Sequence, residues 1–161
     1  QSLSEYGQDK TIEQEARYQL LAGSFLSATG FNDEALLRLN RAKELIPGKQ
    51  SVYFEIGSAY INKGDMNQAL AVFKEALELA PEYTEAKVIY LIGAIYANNR
   101  AVESEMISQL RERDVVFDDR VANAYYTNGR MVEVRSLINA RIKLDPANTP
   151  TYEGYLKGLT N

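Results

Sequence analysis

Residues 50–83, QSVYFEIGSAYINKGDMNQALAVFKEALELAPEY, decide the fold of this chain. Apolar residues recur three and four positions apart in both halves of this stretch, as they do along one face of an α-helix. Gly64 and Asp65 separate the halves, and a glycine followed by an N-cap aspartate is typical of a tight turn between two helices. Pro81 ends the second half, because proline cannot continue a helix. The stretch therefore predicts a helix–turn–helix hairpin.

The interval from the turn glycine to the closing proline recurs along the chain. It has the same length in each of three pairs: Gly30 and Pro47, Gly64 and Pro81, and Gly129 and Pro146. The first two pairs are separated by a 34-residue period, and a repeat of that length is typical of stacked helical hairpins. A single hairpin cannot bury its apolar face alone, so we expect each hairpin to pack against the next.

The third copy of the pattern is degenerate. Gly93 and Tyr96 repeat the spacing of two packing residues in the second copy, but two residues later than a 34-residue period requires. Arg100 then stands at the predicted position of the turn glycine. Apolar residues at helical spacing still predict a helix at about 101–113.

The ends of the repeated region carry their own signals. Thr11 and Gln14 form a capping-box pattern, which predicts that the first helix begins near Ile12. Thr149 followed by Pro150 resembles an N-cap with proline at the first helical position. We expect one domain over 1–161 with these parts: an extension (1–11), repeat 1 (12–49), repeat 2 (50–83), a degenerate repeat 3 (84–114), repeat 4 (115–148) and a terminal helix (149–161).

Composition limits the function. The formal net charge of −4 argues against a nucleic-acid partner, because neutralising phosphates requires a basic surface. The chain has no cysteine and no histidine, which removes thiolate metal sites and the commonest general base. No apolar run approaches the ~20 residues that span a bilayer. We expect no catalysis, no cofactor or metal, and no membrane insertion of this segment. A start at Gln1 without methionine predicts a piece of a longer protein.

These residues resemble the tetratricopeptide repeat, a family of helical-hairpin repeats. Residues 50–83 match the family pattern in full, through Tyr53, Ile56, Gly57, Tyr60, Ala69, Phe73, Ala76 and Pro81. The resemblance covers roughly residues 12–148. It implies an all-α, right-handed superhelical solenoid of about four antiparallel helix-turn-helix repeats plus a C-terminal helix. Gly57 and Ala76 are small residues, which we attribute to a close crossing of two helices.

The resemblance also implies a binding groove on the inner surface, which the first helix of each repeat lines. Twelve residues are placed there: Arg17, Leu20, Ser24, Phe54, Ser58, Ile61, Asn62, Lys87, Tyr90, Asn98, Asn123 and Tyr126. Such a neutral, partly aromatic groove suits an extended peptide or a helix. Aromatic residues are frequent hot spots of binding, so we expect Phe54, Tyr90 and Tyr126 to carry much of the affinity. Only Lys87 matches the clamp by which some family members grip a C-terminal carboxylate, which argues against that mode.

Close acidic pairs, such as Glu103 with Glu105, are interpreted as solvated or helix-start residues rather than as metal or acid–base groups. The expected function is a non-catalytic protein–protein interaction scaffold that binds a peptide or protein partner in the concave groove. One alternative is a soluble domain appended to a larger bacterial membrane enzyme, such as a glycan or O-antigen ligase, or to a secretion component. The other is a self-assembly module, since the short final helix caps the stack poorly.

Overall fold

The computed structural model describes residues 3–159, with side chains from residue 10 on. All regular structure in that range is helical, which confirms the all-α prediction. The α-helices are α1 (Leu3–Ala28), α2 (Asn32–Leu45), α3 (Gln50–Lys63), α4 (Met66–Leu79), α5 (Thr84–Tyr96), α6 (Arg100–Gln109), α7 (Glu112–Val116), α8 (Asp119–Thr127), α9 (Met131–Leu144) and α10 (Thr149–Gly158). A 3-10 turn over Pro146–Asn148 precedes α10.

Backbone contacts divide the chain into two compact units, Gln1–Ala86 and Lys87–Asn161. In the first unit α1 packs against α2, α3 packs against α4, and α3 also contacts both helices of the first hairpin. In the second unit α8 packs against α9, α7 contacts both of these helices, and α10 packs against α9. The pairs α1 with α2, α3 with α4, and α8 with α9 are therefore packed against each other, as the hairpin pattern predicts.

Close helix crossings in the first unit depend on two glycines. A Cβ atom on Gly57 would overlap the ring of Phe73, and a Cβ atom on Gly23 would lie 2.5 Å from Cγ of Leu39. Gly23 and Leu39 come one 34-residue period before Gly57 and Phe73, so the same contact occurs in both hairpins. This confirms that the glycine is needed for the helices to approach each other.

The turns between paired helices share one backbone geometry. Gly30, Gly64 and Gly129 have left-handed φ values of 88°, 88° and 69°, and Asn98 has a φ of 52°. At Asn98 the amide donates to the carbonyl oxygen of Ile95 (3.1 Å), as the amide of Gly64 does to Ile61 (2.9 Å). Asparagine tolerates this conformation better than most non-glycine residues.

Asn98 corrects the predicted register of the third repeat. It lies one 34-residue period after Gly64, so the period is kept and the prediction of Arg100 as the turn position is wrong. The amide of Asn99 donates to Ala94 (2.8 Å) as the amide of Asp65 donates to Tyr60 (2.9 Å). Tyr96 is therefore not the equivalent of Tyr60. The predicted register was two residues late because Gly93 and Tyr96 were aligned with Gly57 and Tyr60.

Two predicted helix boundaries are also wrong. The helix predicted over 101–113 is interrupted, because α6 ends at Gln109 and α7 begins at Glu112. The first helix begins at Leu3 instead of near Ile12, so Thr11 lies inside it. At 1.5 Å per residue, the 26 residues of α1 extend about 18 Å farther than the 14 residues of α2.

Candidate functional site

Seven of the twelve predicted groove residues lie on α1 and α3, two helices of the first unit that contact each other. We call this set the α1–α3 face: Arg17, Leu20, Ser24, Phe54, Ser58, Ile61 and Asn62. Two hydrogen bonds join the helices beside it. The hydroxyl of Ser24 donates to Glu55 (2.8 Å), and the amide of Asn62 donates to the hydroxyl of Ser27 (3.0 Å).

Two apolar residues of the α1–α3 face are anchored in the core. Leu20 and Phe54 are half-buried and pack against the buried cluster that α2, α3 and α4 share. Phe54 therefore contributes to packing as well as to the surface. Ser58 and Asn62 are exposed and place polar groups beside these apolar side chains. A partly exposed apolar strip with a polar margin is the usual composition of a protein-binding surface.

The structure places the second-unit residues in four different environments. Asn123 and Tyr126 are exposed on α8, three residues apart and thus neighbours on the helix surface. Tyr90 is only 8% exposed, so it has little surface left to desolvate on binding and is not a surface anchor. Asn98 forms the left-handed turn between α5 and α6, so it does not lie on the first helix of its repeat as the resemblance implied. Lys87 is half-buried.

A cavity of about 560 Å³ lies beside the N-terminal part of α1 in the first unit. It is lined by Lys10, Glu13, Gln14, Arg17, Leu20, Leu21, Ile46 and Lys49. Sequence reasoning found only Arg17 and Leu20 of this set. Lys10 was missed because the helix was expected to begin near Ile12.

A buried ion pair lies in the second unit. The guanidinium of Arg130 donates to both carboxylate oxygens of Glu103, at 2.7 and 2.8 Å. The same guanidinium donates to Glu133 at 2.7 Å. Glu103 is only 6% exposed, so the interpretation of this carboxylate as solvated is wrong. A carboxylate is buried in a protein when a paired cation and hydrogen bonds compensate its lost hydration.

Tyr125 and Arg100 complete the cluster around Glu103. The hydroxyl of Tyr125 donates to Glu103 (2.9 Å), and the Arg130 guanidinium lies over the Tyr125 ring at 4.5 Å. Burial, with the hydrogen bond to Glu103, holds the pKa of the Tyr125 hydroxyl well above its ordinary value. Arg100 donates to Glu133 (3.0 Å). Two cations and two anions balance within the cluster, so its arrangement supports packing rather than acid–base chemistry.

The corrected 34-residue register could have located this cluster. Glu103 lies one period after Ala69 and two periods after Ala35, and both alanines are fully buried. A carboxylate at a fully buried position of the repeat requires a cation nearby. The two-residue shift placed Glu105 at that position instead, and Glu105 is exposed.

None of the helices over 3–159 has both the length and the apolar character needed to cross a membrane. Within the same range, no group of three or more aspartate, glutamate, histidine or cysteine residues could hold a metal ion.

Comparison with known proteins found similarity to one kind of repeat. Residues 50–83 match the family described as tetratricopeptide repeat. No curated protein matches the sequence significantly. Among solved structures, the chain is similar to the crystal structure of a thermophilic TPR protein from Thermus thermophilus, at 18% sequence identity and a TM-score of 0.49. The similarity covers 91% of this chain and 100% of that chain. The assignment of the repeat rests on residues 50–83.

Proposed function

Because residues 50–83 are a tetratricopeptide repeat, we propose that the chain is a non-catalytic scaffold that binds a peptide or protein partner on the α1–α3 face. The observation that carries the proposal is the position of Leu20 and Phe54. These two side chains lie on adjoining helices, and both combine partial exposure with support from the core. Anchored apolar side chains lose little conformational entropy when a partner covers them.

The polar residues beside this strip favour a partner with an accessible backbone or polar side chains. Ser58 is exposed, although its hydroxyl also donates to the carbonyl oxygen of Phe54 (2.9 Å). The Asn62 carbonyl oxygen remains an acceptor while its amide nitrogen donates to Ser27. An extended peptide or an amphipathic helix presents suitable complementary groups. We propose Asn123 and Tyr126 of the second unit as a separate contact surface.

A pair of matched substitutions tests the α1–α3 face. Ser58→Trp places a bulky side chain on this face, and Ala71→Trp places the same side chain at an exposed position of α4. Partners are captured from the native host with the parent chain, and the affinity of each purified partner is then measured by calorimetry. We expect Ser58→Trp to weaken binding at least tenfold, while Ala71→Trp leaves the affinity unchanged.

The same affinity measurements can contradict this proposal. If Ser58→Trp binds every captured partner as tightly as the parent, the α1–α3 face is not the working surface. If both substitutions weaken binding equally, the effect reports a general loss of structure, which thermal melts of the two variants would reveal.

Self-association is a second candidate function, supported by an exposed apolar stripe on α1. Tyr18, Leu21 and Phe25 are 60%, 66% and 68% exposed and fall on one side of the helix. One 34-residue period later on α3, the counterparts of Tyr18 and Phe25 are Val52 and Ala59, which are fully buried in the cluster formed with α2. The counterpart of Leu21 is Glu55, which is half-buried. The stripe thus corresponds to the face by which α3 packs on the preceding hairpin. A second copy of the chain could supply that packing.

Leu21→Glu tests this candidate, with Leu37→Glu as its control. Leu37 is a comparably exposed leucine, located on α2. Light scattering over a concentration series should show that the parent and Leu37→Glu associate, whereas Leu21→Glu stays monomeric. A parent chain that is monomeric at every concentration contradicts self-association through the stripe.

A further inference from the structure

Three cations that have no partner among the described residues converge on the cavity beside α1. Lys10, Arg17 and Lys49 line it, and none of them forms a hydrogen bond or ion pair through its side chain with another described residue. Among the described residues, Glu13 is the only acid that lines the same space. The lining therefore carries two more positive than negative charges, although the whole chain has a net charge of −4. Unpaired like charges around one cavity repel each other and favour an anion.

The start of α3 adds to this preference for an anion. α3 begins at Gln50, directly after Lys49, and its N-cap side chain makes no capping hydrogen bond. The positive end of the helix dipole and the side chain of Lys49 thus lie together, an arrangement that an anion stabilises.

The floor of the cavity is apolar and supported. Leu20 and Ile46 line it, and both pack against the buried cluster of the first unit. A volume of about 560 Å³ lies in the range that accommodates a small ligand or several side chains of a peptide. The occupant must therefore combine apolar and anionic groups.

We propose that this cavity binds an acidic peptide segment in which two carboxylate side chains flank a bulky apolar side chain. The excess of two positive charges selects two carboxylates, whereas a single C-terminal carboxylate neutralises only one. The apolar side chain lies on Leu20 and Ile46, and the carboxylates pair with Arg17 and the two lysines. This inference rests on the proposed function. Arg17 and Leu20 belong both to the cavity lining and to the α1–α3 face, so the inference states the chemistry of a partner bound at the edge of that face.

The test uses the full chain and three fluorescein-labelled, C-terminally amidated peptides. The probe is Gly-Glu-Leu-Glu-Leu-Gly, and the two control peptides replace either both glutamates by glutamine or both leucines by serine. Fluorescence anisotropy should show that the parent binds the probe at least tenfold more tightly than either control peptide. The affinity should fall as salt is raised, since exposed ion pairs are screened.

A matched pair of double variants locates the site. Arg17→Glu with Lys49→Glu should weaken binding of the probe at least tenfold. Arg41→Glu with Lys74→Glu changes the net charge equally, at exposed cations of the same unit that do not line the cavity. This control pair should change the affinity less than threefold. Equal losses in the two double variants would show a long-range charge effect and overturn the proposal.

The remaining outcomes are equally informative. Equal binding of the glutamine peptide contradicts an anion site, and no binding of the probe to the parent overturns the proposal. If a peptide with a free C-terminal carboxylate and no acidic side chain binds more tightly than the probe, the cavity recognises a terminal carboxylate instead, and the proposal is overturned. If the parent does not bind the probe but Ser58→Trp still weakens the binding of captured partners, the proposed function stands and only this inference fails.

Discussion

Ala69 of α4 and Glu103 of α6 hold the same position in the 34-residue period, yet one carries a methyl group and the other a carboxylate. Both are buried. Around Ala69 the helices approach closely, because Gly57 leaves space for the ring of Phe73. Around Glu103 an ion pair with Arg130 and a hydrogen bond from Tyr125 replace that apolar contact. One position of a repeat can thus be satisfied by two different kinds of interaction.

The second helices of the two repeats differ accordingly. α4 continues for 14 residues and buries Phe73, whereas α6 ends after 10 residues and leaves its counterpart Ile107 exposed. The turn before each helix is nevertheless the same, with Asp65 capping α4 through Gln68 and Asn99 capping α6 through Val102. The repeat therefore keeps its local turn chemistry where its core contacts have changed.

The largest expected effect comes from breaking the ion pair. Arg130→Leu leaves the Glu103 carboxylate buried without its cation, and removing one partner of a buried pair costs about 3–5 kcal/mol of folding free energy. Urea titration of the parent and the variant measures this loss. The double variant Glu103→Ala with Arg130→Leu should recover most of it, because alanine is the residue that the first two repeats have at this position. A double variant as unstable as Arg130→Leu would contradict the compensation argument.

The close apolar contact between Gly57 and Phe73 in the second repeat is tested by substitution at Gly57. Gly57→Leu forces a side chain into the Phe73 ring, and such overpacking costs about 1–3 kcal/mol. Gly48→Leu is the control, since a Cβ atom there meets no atom within 4 Å. Thermal unfolding should show a lower midpoint for Gly57→Leu only. Equal midpoints for the two variants would remove the close-crossing argument.

Tyr125→Phe tests the hydrogen bond to Glu103. A bond to a charged group contributes about 1.5 kcal/mol, so we expect a loss of that order near neutral pH. The pKa of Tyr125 is raised in the folded state, mainly by burial, so the unfolded chain releases this proton first as pH rises. The contribution of Tyr125 to the free energy of unfolding is therefore fully present below the unfolded-state pKa of about 10 and decreases at higher pH. Urea titrations from pH 8 to 11 should show a steeper decline in the parent than in Tyr125→Phe.

The exposed neighbour Tyr126 supplies the control for this measurement. Tyr126→Phe should follow the pH profile of the parent. If Tyr125→Phe also follows it, the buried hydroxyl does not determine stability at alkaline pH.

The smallest effect is expected at the turn of the third repeat. Asn98→Ala places a less tolerant residue at a φ of 52°, which should cost about 1 kcal/mol. Asn98→Gly should leave stability within a few tenths of a kcal/mol of the parent. Chemical denaturation of the two variants measures the difference. If alanine and glycine are equivalent here, the left-handed conformation is not what selects asparagine.

Features that depend on neighbouring residues in the chain were predictable from the sequence. The turn at Gly64, the cap at Asp65 and the small residue Gly57 follow from backbone conformation and helical spacing, and the structure confirms all three. The second repeat, which combines these signals, is also the region that matches the family. Local chemistry acts over a few residues, so it can be recognised in a single sequence.

Features that depend on distant residues were decided only by the tertiary structure. Arg130 lies far along the chain from Glu103, and no local pattern links the two side chains. The burial of Tyr90 likewise depends on side chains brought together by folding, and the family resemblance placed this buried residue on a surface. The cavity requires Lys10 and Lys49, which come from different elements. The sequence by itself determined the hairpins and their turns, whereas tertiary packing decided which charged and aromatic groups are buried, because burial depends on all the neighbours of a side chain.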